Sequence, residues 1–171
     1  MKLCRVGEPG LEKPAVIDKD NIIRDLSAII SDLNPKTLNF ETIHKINAIN
    51  LNDLPEINSN LRIGPCVGNP SKFLGIGLNF KDHALEQNLP IPNEPIIFSK
   101  FTNCVCGPND DIEIPKGSEH TDWEVELGFV IGKKAKYIPE NEALKYVLGF
   151  FLVNDVSERN FQKKRGLTWD K

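Results

Sequence analysis

The chain reads as an α+β protein, mainly β, on three observations. After residue 72, apolar runs recur at Phe73-Leu74-Gly75-Ile76-Gly77, Pro95-Ile96-Ile97-Phe98, Asp111-Ile112-Glu113-Ile114, residues 124–131 and residues 148–153, with turn residues between most of them. Only one short helix, over residues 140–146 after Pro139, is legible among them, so the regular alternation of a parallel β-α-β sheet is missing. The 171 residues, 40% hydrophobic, suffice for one ordinary core with a small appended domain.

Taken in order, residues 1–68 predict a small α/β N-terminal domain and linker. Pro14-Ala15-Val16-Ile17-Asp18 and Asn21-Ile22-Ile23-Arg24-Asp25 read as two strands around the turn Asp18-Lys19-Asp20-Asn21, and a helix follows from about Ser27. Asn-rich and Leu-rich sequence then runs to Pro55, and the Gly64-Pro65 and Asn69-Pro70 steps mark the linker. Residues 69–171 form the strand-rich domain. Its Gly75-x-Gly77 imitates the start of a dinucleotide-binding loop, but the third glycine of that motif would fall at Phe80.

Charge and cysteine usage narrow the function classes. Twenty-one basic and 24 acidic residues, net −3, are spread without a basic stripe, which argues against nucleic acid as a partner. No run of about 18 apolar residues predicts a membrane span, and Met1-Lys2-Leu3-Cys4-Arg5 leads into a Gly/Pro-containing segment rather than a signal-peptide core, so the expected location is cytoplasmic. Cys4, Cys66, Cys104 and Cys106 lack zinc-ligand spacing and read as reduced thiols.

The chemistry concentrates in carboxylates. In Thr121-Asp122-Trp123-Glu124-Val125-Glu126-Leu127, strand geometry puts Glu124 and Glu126 on one face, roughly 6.6 Å apart along the backbone. Buried together they repel unless a cation or a shared proton neutralises them, and Asp155 after the apolar run ending at Val153 would complete an oxygen-rich site for Mg²⁺ or Ca²⁺. The same alternation also fits a half-buried strand with both glutamates in water and Val125 and Leu127 inward, and Asp155-Val156-Ser157-Glu158 has capping-box spacing. Residues alone leave both readings open. His83 and Glu86, three apart, suit one helical face where a carboxylate orients an imidazole for work on water, although an exposed histidine beside an incidental glutamate has the same spacing. Asp155, Arg159 and Gln162 recur at i, i+4 and i+7 of a helix beginning at Asp155. There Arg159 could fork onto a substrate carboxylate and Gln162 could bond a carbonyl.

The ordered series resembles the fumarylacetoacetate hydrolase family. It is carried by Gly75-Ile76-Gly77-Leu78-Asn79-Phe80-Lys81-Asp82-His83-Ala84-Leu85-Glu86, Glu94-Pro95-Ile96-Ile97-Phe98-Ser99-Lys100, Gly117-Ser118-Glu119, Asp122-Trp123-Glu124-Val125-Glu126-Leu127 and Asn154-Asp155-Val156-Ser157-Glu158-Arg159. The opening Met1-Lys2-Leu3-Cys4-Arg5, Ile23-Arg24-Asp25-Leu26-Ser27 and the ending Gly166-Leu167-Thr168-Trp169-Asp170-Lys171 look most like the branch containing 2,4-diketo-3-deoxy-L-fuconate hydrolases.

The resemblance implies a mixed β-roll of the fumarylacetoacetase C-terminal-like type, incomplete here, in homodimers acting on small diketo or 2-oxo acids. It implies Glu124, Glu126 and Asp155 as ligands of Mg²⁺, alternatively Mn²⁺ or Ca²⁺, and His83 and Glu86 as the water-activating pair. Arg159, Gln162 and Lys100 become the expected substrate contacts, and the expected reaction is carbon–carbon cleavage releasing pyruvate. Ureidoglycolate lyase, oxaloacetate decarboxylase and hydroxymuconate isomerase activities remain alternatives, as does a non-catalytic remnant. Family members continue for on the order of 100 residues past this point, starting with a Gly-Lys-Ser-like step whose lysine serves the site. Lys171 aligns two positions before that lysine and is not given its role, so the chain reads as an N-terminal fragment.

Overall fold

The computed structural model describes residues 1–171. Its elements are β1 (Lys2–Val6), β2 (Lys13–Ile17), β3 (Ile23–Asp25), α1 (Phe40–Asn47), β4 (Ile63–Gly64), β5 (Phe73–Gly77), α2 (Lys81–Glu86), β6 (Ile96–Lys100), β7 (Thr121–Asp122), β8 (Val125–Ile131), β9 (Val147–Asn154), β10 (Ser157–Glu158) and α3 (Arg159–Lys164). Tight 3₁₀ turns occupy Leu51–Asp53, Thr102–Cys104 and Glu140–Tyr146. Strands outnumber helices, as the apolar runs predict. No helix is long and apolar enough to cross a membrane.

The chain divides into two compact units. The first joins Met1–Pro70 to Val105–Ile112 and Glu126–Val153, and the second comprises Ser71–Cys104, Glu113–Val125 and Asn154–Lys171.

In the first unit, β1 to β4 form one sheet in the order β3-β2-β1-β4. β1 pairs antiparallel with β2, with Cys4 opposite Ala15, and β2 pairs antiparallel with β3. Successive residues of a strand face opposite sides, and here both sides are covered. Val16 packs with Leu26, Ile30, Leu33 and Ile46 on one side, while Ala15 packs with Cys4, Val6 and Ile23 on the other. The β2–β3 turn follows the predicted chemistry. Asp18 Oδ1 accepts from the amides of Asp20 and Ile22, both at 2.9 Å, and Asn21 takes the positive φ of 62° that asparagine tolerates.

The helix expected from Ser27 does not form. Leu26, Ile30 and Leu33 do bury themselves, and one helical turn starts with Ile30 N donating to Leu26 O at 3.0 Å. It stops because Pro35 disfavours helical backbone at Asn34, and because Asp32 is drawn to Arg5 at 2.7 Å. The helix lies later, at α1, where Asn39 caps the Thr42 amide at 2.9 Å. Asp111-Ile112-Glu113-Ile114 is likewise not a strand; no neighbour pairs with it, and Ile112 and Ile114 are exposed. Arg62 ties the Val105–Ile112 segment to the sheet, bonding Asp110 at 2.6 Å and Glu12 at 2.9 Å.

β8 and β9 form a two-stranded ribbon, joined where Gly132 N donates to Tyr146 O at 2.9 Å. Its outward face is apolar: Val125, Leu127, Phe129, Ile131, Phe150 and Leu152 are all exposed, Leu152 to 80%.

In the second unit, β5 and β6 pair antiparallel from Phe73 opposite Lys100 to Gly77 opposite Ile96. Gly75 and Gly77 are strand residues, not a nucleotide loop. A Cβ on Gly75 would meet the Phe98 ring at 2.3 Å, and one on Gly77 would meet Trp169 at 2.6 Å. β7 pairs antiparallel with β10, with Asp122 opposite Ser157. The four cysteines are free, and burial pushes the Cys4 thiol up to about 11.

Candidate carboxylate site

Glu124 and Asp155 lie in breaks between strands, Glu124 between β7 and β8 and Asp155 between β9 and β10. The two breaks are clipped to one another. Asp155 N donates to Glu124 O at 2.9 Å, and Glu124 N donates to Asn154 Oδ1 at 3.0 Å. Asn154 thus places the backbone that carries both carboxylates, a role the sequence reading missed although its neighbour was singled out.

Each carboxylate has its own basic partner. Lys100 Nζ, at the end of β6, stands 2.5 Å from Asp155 Oδ1, and both side chains are only 10% exposed. Lys100 also donates to Val156 O at 3.3 Å. Arg159, the first residue of α3, pairs with Glu124 through Nη2, donates from Nε to Asp122 Oδ2 at 3.0 Å and from Nη1 to Gln162 Oε1 at 3.3 Å. Partial burial disfavours the charged guanidinium, but Asp122 and Glu124 outweigh it and hold Arg159 above its ordinary value. Asp122 is the second residue the sequence reading passed over. Its signal was present, since it lies two positions before Glu124 in the same alternation.

Glu126 lies on β8 and is half-buried, as are Gly128 and Val130 on the same strand and Glu124 just before it. The apolar positions between them are the exposed ones, Val125 at 60% and Leu127 at 63%. This inverts the pattern of a strand with its glutamates in water and its valine and leucine inward. No group of three or more His, Cys, Asp or Glu side chains gathers at metal-binding distance.

The donor set nevertheless suits a hard cation, because carboxylate oxygens are what Mg²⁺ and Ca²⁺ take. One atom supports the fit directly. Asp155 Oδ1 is buried without an aligned hydrogen-bond donor, the Lys100 ammonium being close but off the line such a bond requires.

The face proposed for Asp155, Arg159 and Gln162 needs correcting. α3 begins at Arg159, so only Arg159 and Gln162 share it. Nor does Asp155 cap it. Glu158 does so itself, accepting from Phe161 N at 2.6 Å and from His120 N at 2.9 Å. Burial would raise the Glu158 carboxyl, but the amides of Phe161, His120 and Glu119 and the Ser118 hydroxyl bring it below its ordinary value.

His83 and Glu86 sit on α2, after a sharp entry at Leu78 with φ of 50°. Their Nδ1 and Oε2 atoms are 3.9 Å apart, an ion-pair distance rather than a hydrogen bond, with the His83 side chain 40% exposed. Fully buried Ala84 anchors the helix between them.

Residues 72–170 match the family described as fumarylacetoacetate (FAA) hydrolase C-terminal. A Burkholderia cenocepacia protein provisionally named a hydrolase is 53% identical over all 171 residues, and the chain spans 61% of that relative's length. Among solved structures, fumarylacetoacetate hydrolase from Exiguobacterium antarcticum superposes with a TM-score of 0.75 at 25% identity, covering 99% of this chain and 62% of that one. A 5-carboxymethyl-2-hydroxymuconate delta-isomerase from Mycobacterium smegmatis gives 0.66 at 25% identity, covering 97% and 58%. The chain belongs to the fumarylacetoacetate hydrolase family.

Proposed function

We propose, from that membership, that this chain is part of a divalent-metal-dependent hydrolase that cleaves a carbon–carbon bond in a small 2,4-diketo acid and releases pyruvate. A sugar-derived acid is the proposed substrate, and a homodimer the proposed working form. The observation that carries the reading is the buried, unaligned Oδ1 of Asp155, clipped through the backbone to Glu124. Glu124, Glu126 and Asp155 would hold Mg²⁺, with Mn²⁺ or Ca²⁺ as alternatives.

Bound there, the ion would supply Lewis acidity to the 2-oxo-carboxylate end of the substrate. The remaining work falls to the chain's own groups. Arg159, held beside Gln162, offers a guanidinium to a carboxylate, and Gln162 offers an amide to a carbonyl. Lys100 brings an ammonium to the same neighbourhood. His83, beside Glu86, takes a proton from water, and the resulting hydroxide adds to the distal ketone. The carbon–carbon bond then breaks toward the pyruvate fragment, which takes up a proton, while the other fragment leaves as a carboxylic acid.

A second reading, isomerisation of a muconate-type acid, is favoured by the superposition on the isomerase. It uses the same base but no added water. A chain extended to the length of its relatives, assayed with Mg²⁺ on diketo acids and hydroxymuconate, separates the two by whether the diketo acid releases pyruvate or the hydroxymuconate isomerises. In that protein His83→Ala should lower turnover by about 10²–10⁴-fold and leave Mg²⁺ affinity unchanged, since proton transfer and ion binding are separate tasks. Undiminished turnover in the variant would remove His83 from the mechanism.

A further inference from the structure

We propose that Lys100 is the resident counter-ion of the carboxylate site, holding Asp155 until a divalent ion displaces it, so that Lys100 sets how tightly that ion binds. The proposal rests on the reading of Glu124 and Asp155 as cation ligands, and goes beyond it by assigning a competitor.

The geometry separates the two basic groups. Arg159 is shared between Glu124 and Asp122 and braced by Gln162, so it keeps a carboxylate partner if Glu124 turns to an ion. Lys100 has Asp155 as its one carboxylate in ion-pair contact, Asp170 acting on it only through longer-range charge, and it also donates to Val156 O at 3.3 Å. Its stem is carried by a fixed strand, since Lys100 is paired with Phe73 in the β5–β6 register and Phe98 on the same strand lies against Gly75. The ammonium is therefore delivered to Asp155 by the fold. With both side chains nine-tenths buried, neither charge has enough water to stand alone.

The contact is nevertheless replaceable. It lacks hydrogen-bond alignment at Oδ1, so what holds it is charge, and a divalent ion at about 2.0–2.6 Å from the same oxygen supplies more. Asp122, Glu124 and Asp155 face Lys100 and Arg159, three carboxylates against two basic groups. A neutral residue at position 100 leaves the site one unit more negative, which favours a divalent ion. Displacement also frees the ammonium for an incoming acid, which ties the ion's arrival to the site's readiness for substrate.

Mn²⁺ binding, read by electron paramagnetic resonance of the free ion and by calorimetry, tests this without any assay of turnover. Lys100→Met and Lys100→Gln should tighten Mn²⁺ binding on the order of tenfold or more, while Lys100→Arg should stay near wild type. Trp169 packs against Phe98 with ring centroids 5.8 Å apart, so its fluorescence checks that β6 keeps its place in each variant. Equal or weaker binding by both neutral variants, with Asp155→Asn still abolishing it, overturns the proposal and leaves the carboxylates as ligands. No binding by wild type and neutral variants alike, or binding that survives Asp155→Asn, overturns the metal reading and this proposal together.

Discussion

The β1–β4 sheet and the β8–β9 ribbon use similar apolar residues to opposite ends. In the sheet, Val16 and Ala15 are fully buried on opposite sides, because the turns after β3 and helix α1 cover one face and Ile57 and Ile63 pack on the other. In the ribbon, Leu127, Phe129, Phe150 and Leu152 point outward with nothing over them. A two-stranded ribbon is marginal in water unless a third layer covers it. The difference teaches that a strand's composition does not decide its burial; the number of elements that return to it does.

The largest expected effect is on association. An uncovered apolar face is a surface for self-contact, so the 171-residue chain should sediment as concentration-dependent oligomers and bind a hydrophobic dye. Leu127→Lys combined with Phe150→Lys should shift it toward monomer, as sedimentation velocity would record. A monomeric wild-type chain that ignores the dye would break the contrast.

A smaller effect separates the regions by stability. Leu26→Ala removes a fully buried side chain and should cost about 2–5 kcal/mol, whereas Leu152→Ala on the exposed face should stay within about 0.5 kcal/mol. Urea unfolding of the two variants gives the ratio. Comparable losses would mean that the ribbon face is covered in solution.

The smallest effect is the acid sensitivity contributed by the sheet's ion pairs. Burial would raise the Asp32 carboxyl, but Arg5 and the Leu33 amide hold it below its ordinary value, and Arg62 does the same for Asp110. A depressed folded-state value means that the stabilisation is present above the unfolded value of about 3.9 and is lost as pH falls through the folded one. The urea midpoint should therefore drop below about pH 4. Asp32→Asn should flatten that drop, at a cost of about 1–3 kcal/mol at pH 7 for the guanidinium it leaves short of a partner. An unchanged acid profile in the variant would assign the sensitivity elsewhere.

Much of this fold was legible where local pattern and pairing agree. The Asp18 turn with β2 and β3 and the runs that became β5, β6, β8 and β9 announced themselves, and the short helix expected over residues 140–146 forms as a 3₁₀ helix. β1 did not, because a strand covered on both faces shows no alternation, and Arg5 in its middle is buried by ion pairs that no local pattern encodes. Residues 111–114 alternate well yet have no partner, and alternation without pairing makes no strand. The same division runs through the site. Spacing pointed to Glu124 and Glu126 together, and both are half-buried, Glu126 on β8 and Glu124 in the break before it. The contact between Lys100 and Asp155 joins residues far apart in the chain, and nothing within either segment predicts it.

Gly75 and Gly77 carry a last consequence, for how this sequence can change over generations. At both positions the space of a methyl group is already taken by an aromatic ring, Phe98 over one and Trp169 over the other. Ring atoms cannot swing aside as the end of a lysine can, so even alanine is barred unless the ring shrinks in the same lineage. A pair of glycines that imitates a loop open to phosphate therefore marks one of the most crowded places in the chain, and drift there is possible only two residues at a time.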